Sequence, residues 1–260
     1  MTVHAHGVGS APTVDIALAL LAAGAVAAYI AGVVISRRRG RPWPTGRAVL
    51  WCCGVAAGAA SVIGPLADAA HDSFVAHMTT HLLAGMVAPV LLVLAAPVTL
   101  ALRSLAVTPA RRLSRVLGSA PARFVAHPIT ATVLSAGGLW LIYVTPIVDA
   151  MREVPLVHVA VHAHLLLAGY LFTAAVIGLD PRPHPSSRAL VVAVIVLAMA
   201  AHAILAKYLY ANPPEGFAVA DVRAGAQVMY YAGAWVEAVV VVIFCARWYR
   251  AAAPRAATAP

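Results

Sequence analysis

The chain has 260 residues, of which 62% are hydrophobic and 10% charged, and its mean hydropathy is +0.88. A soluble domain carries about 25% charged residues, so this chain has too few to cover a water-exposed surface and reads as an integral membrane protein. The formal net charge of +9 does not make it a nucleic-acid binder, because the Lys and Arg fall between long apolar runs instead of gathering on one soluble basic face. Its 18 Pro and 18 Gly do not make it disordered, since disordered chains are poor in hydrophobic residues.

A helix that crosses a bilayer needs about 20 mostly apolar residues. Seven such stretches follow one another near 14–35, 48–66, 77–102, 128–148, 155–178, 189–210 and 224–247. They predict an all-α polytopic membrane protein, a seven-transmembrane-helix bundle forming a single membrane domain over 1–260. The unbroken Ala, Leu and Val runs lack the period-two alternation of a β-barrel. In the first stretch the Arg cluster follows the apolar run, whereas a signal peptide has its charge in front; it is read as an uncleaved anchor. The third contains Pro89 and Pro97 and is expected to tilt, kink or end early. The segment 103–127 is read as a basic, Pro-bounded connection, and no repeat suggests a transporter built from two halves.

Orientation follows from Lys and Arg, which cytoplasmic loops retain. Arg37, Arg38, Arg39, Arg41, Arg47, Arg103, Arg111, Arg112, Arg115, Arg123, Arg182, Arg188, Arg247, Arg250 and Arg255 fall on one side, against Arg152, Lys207 and Arg223 on the other. The N-terminus is therefore expected outside and the C-terminus in the cytoplasm.

That topology sorts the 11 His. His4, His6, His71, His77, His81, His158, His162, His164 and His202 map to the outer face or outer half of the membrane, and His127 and His184 to the cytoplasm. Two pairs stand at i, i+4: His77 with His81 opening the third span, and His158 with His162 opening the fifth. On a helix this spacing stacks two imidazoles on one face, one turn apart, in the geometry that lets two His share a metal. His81 and His162 both lie about 10 Å below the entry points at about 1.5 Å per residue. Span six returns His202 to that depth and span seven brings Met229. Imidazoles with a thioether suit copper, and an all-imidazole site equally suits zinc. His77, His81, His158, His162, His202 and Met229 are the candidate metal ligands.

Other polar residues carry weaker readings. His164 is about 200° around the helix from His162 and is expected to pack or to meet lipid. His71 with Asp68 and Asp72 reads as a solvated outer loop or a point of metal capture, and His4 with His6 as a mobile tail or a short metal-catching arm. Met78 and Met86 are packing residues. Cys52, Cys53 and Cys245 are read as buried small apolar residues far from the His layer, without a disulfide framework. Glu237 is a carboxylate inside a span, which costs about 2.5–3.5 kcal/mol if charged. It is expected to be protonated, hydrogen-bonded to a Tyr or Thr, or part of a polar path.

The run His77-Met78-Thr79-Thr80-His81-Leu82-Leu83, then Ala88-Pro89 and Ala96-Pro97-Val98-Thr99-Leu100-Ala101-Leu102-Arg103, carries a resemblance. It continues in His127-Pro128, Trp140 with Pro146, His158 and His162 with Gly169 and Phe172, Leu209-Tyr210-Ala211-Asn212-Pro213, Asp221 and Met229. Over roughly residues 45–250 the chain resembles the CtaG-type assembly factors of cytochrome c oxidase, seven-span bacterial membrane proteins. It departs from the family pattern at Val144-Thr145-Pro146, where many members have His before the Pro, and at Tyr230, where many have Trp. The resemblance implies a non-enzymatic factor in a bacterial plasma membrane that matures a haem–copper oxidase by handling copper. Its partners would be the lipid bilayer and oxidase subunits or copper chaperones. His77, His81, His158 and His162 form the polar signature, with Asp221 and Met229 beside them. Three other functions share these residues: a haem-binding membrane cytochrome with axial His from spans three and five, a zinc-dependent intramembrane hydrolase, and a zinc or copper transporter.

Overall fold

A computed structural model describes residues 12–180 and 186–252; His4, His6, Arg182, His184 and Arg255 lie outside them. The described residues are mostly helical, joined by short turns, with no strand among them. Six helices are long and apolar enough to cross a membrane, or seven if one sharply bent pair counts as a span. The protein is an all-α, multi-pass membrane protein.

In chain order, α1 covers Pro12–Arg38 and α2 Thr45–Ala60, followed by the short α3, Pro65–Ala69. The third span, α4, runs over Phe74–Leu94. It stops there because Ala96 takes a left-handed conformation, φ 51°, and Pro97 opens a separate helix, α5, Pro97–Ser104. The early end expected from the two prolines is thus realised, eight residues before the apolar run itself stops at 102. Asp180 fixes the new helix by accepting the N–H groups of Val98 and Thr99 and the Thr99 hydroxyl, the last at 2.6 Å. That carboxylate satisfies donors that the first turn of a helix leaves without partners.

The basic connection after α5, for which the sequence predicted no helix, is itself helical. It forms α6, Val107–Leu117, and α7, Ala120–Val125. Along α6 the side chains of Arg111, Arg112 and Arg115 share one face while Leu113, Val116 and Leu117 share another, the pattern of a helix lying at a membrane surface. Span four also differs from expectation. Helix α8, Pro128–Val144, ends at Thr145-Pro146, and α9, Ile147–Glu153, turns away by 77°. Proline cannot continue the ladder of N–H donors, and it pushes the preceding residue out of the helical region. The bundle closes with α10 (Pro155–Ile177), α11 (Arg188–Ala211) and α12 (Val219–Ala252). At about 1.5 Å per residue, α12 outreaches the hydrocarbon core of about 30 Å.

Helices α4 and α10 form the centre of the bundle. The most apolar window of α4 is 61% buried within the protein, against 17% for α1. Along its length α4 meets α12, α2 and α10, while α1 touches α2 and α5. Close packing of α12 on α4 depends on Gly225, where an added Cβ would stand 2.7 Å from the Phe74 ring. Small residues at such crossings let membrane helices gain van der Waals contact that lipid cannot supply. Helices α4 and α8 each contain a π-helical turn, Leu83–Val87 and Val133–Gly137, in which Ala88 N–H reaches Leu83 C=O and Gly138 N–H reaches Val133 C=O.

Candidate functional site

The start of α4 is held from two sides. The Ser73 hydroxyl accepts the N–H of Ala76, an N-cap, and donates to Asp221 at 3.3 Å, while Asp221 also accepts the Phe74 N–H. This tie fixes the rotation of α4 so that Phe74, His77, Met78 and His81 all point inward. Pro155 opens α10 at the first helical position, where its missing N–H costs nothing, and His158 and His162 follow on its buried face. All four imidazoles, and that of His202 on α11, are at most 9% exposed.

The histidines sort into two groups. Near the beginning of α10, His158 stacks on His162 with ring centroids 4.3 Å apart, and His71 stacks on His158 at 5.5 Å. His162 Nδ1 lies 3.0 Å from the carbonyl of His158. Deeper in the bundle, His81 faces His202 at a centroid distance of 6.5 Å. Tyr143 connects the two turns of α4: its hydroxyl is 3.1 Å from His77 Nε2, and its ring meets His81 edge-on. His202 Nδ1 lies 3.2 Å from a carboxylate oxygen of Glu237.

Four imidazole nitrogens in this region are buried without any hydrogen-bond partner: both of His81, Nε2 of His162 and Nε2 of His202. Burying a polar atom unpaired costs about 1–3 kcal/mol, so such atoms point to a missing ligand or a functional constraint. His81 and His202 open onto a cavity of about 80 Å³ that Met86, Met199 and Glu237 also line. Both π-helical turns border it, one through Gly85 and Met86 and the other through Ser135 and Ala136. Among the described residues, no three His, Cys, Asp or Glu side chains converge closely enough to hold a metal ion.

The sequence profile of the cytochrome c oxidase caa3 assembly factors matches residues 27–251. The chain belongs to that family. It is 42% identical over 171 residues to uncharacterized proteins of Mycobacterium bovis and Mycobacterium tuberculosis, covering 62% of this chain and 26% of theirs. It is 37% identical over 162 residues to an uncharacterized protein of Mycobacterium leprae, covering 60% of this chain and 25% of that one. The chain thus spans about a quarter of the length of these relatives. No solved structure matches it.

In this member of the family, the residues singled out by spacing are brought together unequally. His81 and His202 share the cavity, His158 and His162 stack, and His77 is engaged by Tyr143. Met229 is fully buried among Phe74, Met78, Leu205 and Val222 and does not line the cavity. His164 meets the Leu134 carbonyl at 3.1 Å, the packing role its position suggested. Met86, expected only to pack, lines the cavity wall. Glu237 is partnered by a histidine, not by a Tyr or Thr. The cysteines are corrected as well: Cys53 and Cys245 are exposed on the outside of the bundle and Cys52 is half-buried, where lipid offers an apolar surrounding. Tyr143 escaped the sequence reading, and His71, read there as part of a solvated loop, is half-buried against His158. Tyr143 is one of eight Tyr, and only its register opposite α4 distinguishes it.

Proposed function

We propose that this assembly factor handles copper as cargo, holding it transiently on the buried histidines on its way to a haem–copper oxidase, and catalyses no reaction itself. The observation that carries this reading is the set of unpartnered imidazole nitrogens on His81, His162 and His202. Neutral imidazole is a ligand for copper, and thioether sulfur is a soft donor that favours Cu(I). Met86 and Met199 stand in the wall of the cavity that His81 and His202 share. A closed zinc site takes four ligands, and the described residues offer no converging set of three. A cavity of about 80 Å³ also favours an ion over a macrocycle, since pockets for drug-sized ligands hold about 300–1,000 Å³.

The protein is placed in a bacterial plasma membrane with the start of α4 and α10 toward the outside, on the strength of the Lys and Arg distribution. Its partners are then the lipid bilayer, and oxidase subunits or a copper chaperone meeting the histidine end. The reading is tested by titrating purified protein with Cu(I) against a chromophoric chelator and by assaying oxidase in a deletion strain. The wild type binds about one equivalent, taking a single shared site as the stoichiometry. A variant lacking His77, His81, His158 and His162 binds none and leaves the oxidase inactive. Stoichiometric copper on that variant overturns the reading.

A further inference from the structure

We infer that the ion rests in the mid-bundle chamber as a two-coordinate Cu(I) between His81 and His202, and that Glu237 is the positioning residue that makes His202 a ligand. The inference rests on the copper reading above and adds where the ion sits, its coordination number and the role of the carboxylate midway along α12.

The chamber is a built site. Gly225, Met229, Gly233 and Glu237 recur every four residues along α12 and so lie along one face. A Cβ at Gly233 would overlap the His202 ring, so the missing side chain is the space the imidazole occupies. One turn on, Glu237 meets Nδ1 of that ring at 3.2 Å. A carboxylate beside Nδ1 selects the tautomer with its proton there, which leaves a lone pair on Nε2 and makes the imidazole a stronger donor. Nε2 is the atom that is buried and unpartnered. Across the chamber both nitrogens of His81 are unpartnered too.

The spacing suits one ion. With a metal–nitrogen bond of about 2.0 Å, two imidazoles bound on opposite sides of a metal place their ring centroids about 6 Å apart; here they are 6.5 Å apart. Low coordination by neutral donors in a small cavity is a setting for a soft monovalent ion, whereas a divalent ion demands more ligands. Both π-helical turns border this chamber and no other described segment is π-helical. Such turns widen a helix locally and recur at functional sites.

Cu(I) affinity is measured by chelator competition on the full-length protein in detergent, with X-ray absorption of the copper-loaded form. The wild type shows the edge of a two-coordinate, nitrogen-ligated Cu(I). Glu237→Leu weakens binding about 10- to 100-fold, the usual cost of losing an outer-shell partner, while Glu237→Gln, which keeps an acceptor oxygen, restores it. Melting temperature verifies that each variant is folded, and Gly233→Ala, which displaces the ring without touching a polar group, weakens binding in the same way. Wild-type protein that binds no copper overturns the reading under Proposed function. Copper bound normally by a His81→Ala, His202→Ala double variant overturns the chamber alone and leaves that reading to His158 and His162. A three- or four-coordinate edge, or unchanged affinity in Glu237→Leu, overturns this inference.

Discussion

Asp221, in the first turn of α12, accepts the backbone N–H of Phe74 and the hydroxyl of Ser73, 148 positions earlier in the chain at the mouth of α4. One carboxylate therefore closes the open end of another helix and locks the rotation that turns His77 and His81 inward. Asp221→Ala is expected to remove about 1–2 kcal/mol of stability, the worth of an N-cap, and Asp221→Asn less, because its amide oxygen still accepts. Thermal unfolding in detergent measures both; equal melting temperatures for wild type and Asp221→Ala would refute the assignment.

The crossing of α10 over α4 predicts a contrast between glycines. A Cβ on Gly169 would collide with the Gly85 carbonyl and come 2.9 Å from Pro89 Cγ, whereas one on Gly24 meets nothing within 4 Å. Gly169→Ala is expected to destabilise by about 1–3 kcal/mol through overpacking. Gly24→Ala, in the middle of α1, stays within about 1 kcal/mol of wild type or gains slightly. Expression level and melting temperature of the two variants decide it.

Ala96 sits left-handed at the end of α4 with φ 51°, a conformation that costs a residue with a Cβ about 1–2 kcal/mol. Ala96→Gly should recover part of that, offset by the greater freedom of glycine in the unfolded chain. The side chain is fully buried in the cluster with Tyr29, Trp43 and Leu100, so Ala96→Val combines strain with overpacking. The expected order of melting temperatures is Gly at or above Ala, and both above Val.

Tyr29 joins three segments. Its hydroxyl donates to the Ala95 carbonyl at 2.7 Å and receives the Trp43 indole N–H at 3.0 Å. Tyr29→Phe leaves a buried donor and a buried acceptor unpaired, at about 1–3 kcal/mol for each group so stranded. Because α1 is otherwise little buried, the loss should appear as early release of α1, seen as cleavage in the 39–44 connection under limited proteolysis. Cleavage unchanged from wild type would show that α1 is held by other contacts.

Tyr143 separates structure from cargo binding. Tyr143→Phe removes the hydroxyl 3.1 Å from His77 Nε2 and is expected to cost about 1 kcal/mol net while leaving Cu(I) affinity close to wild type, since His81 and His202 are untouched. A large loss of copper affinity in a folded Tyr143→Phe variant would place His77, and not His202, beside the ion.

Much of this was legible in the chain itself. Long apolar runs with too few charges can be nothing but membrane helices, because only helices and closed barrels satisfy their own backbone in lipid. The i, i+4 spacing of His77 with His81 and of His158 with His162 put each pair on one face before any partner was known, because helical periodicity is local. The breaks at Ala96 and at Thr145-Pro146 were marked only as prolines; which of them bends, ends or restarts a helix depends on what Asp180 and the neighbouring helices can cap.

Composition and charge alone determined the class, the approximate spans and the His-rich end, because burial in lipid and helical spacing are properties of short stretches of sequence. Only the tertiary structure decided who meets whom. It set His81 against His202 instead of in a common layer with Met229, gave Glu237 a histidine partner, and folded the basic connection after α5 into surface helices. Those outcomes depend on rotation and close approach of helices far apart in the chain, fixed by Gly169, Gly225 and Gly233 and by the Asp221 cap, and no local pattern encodes them.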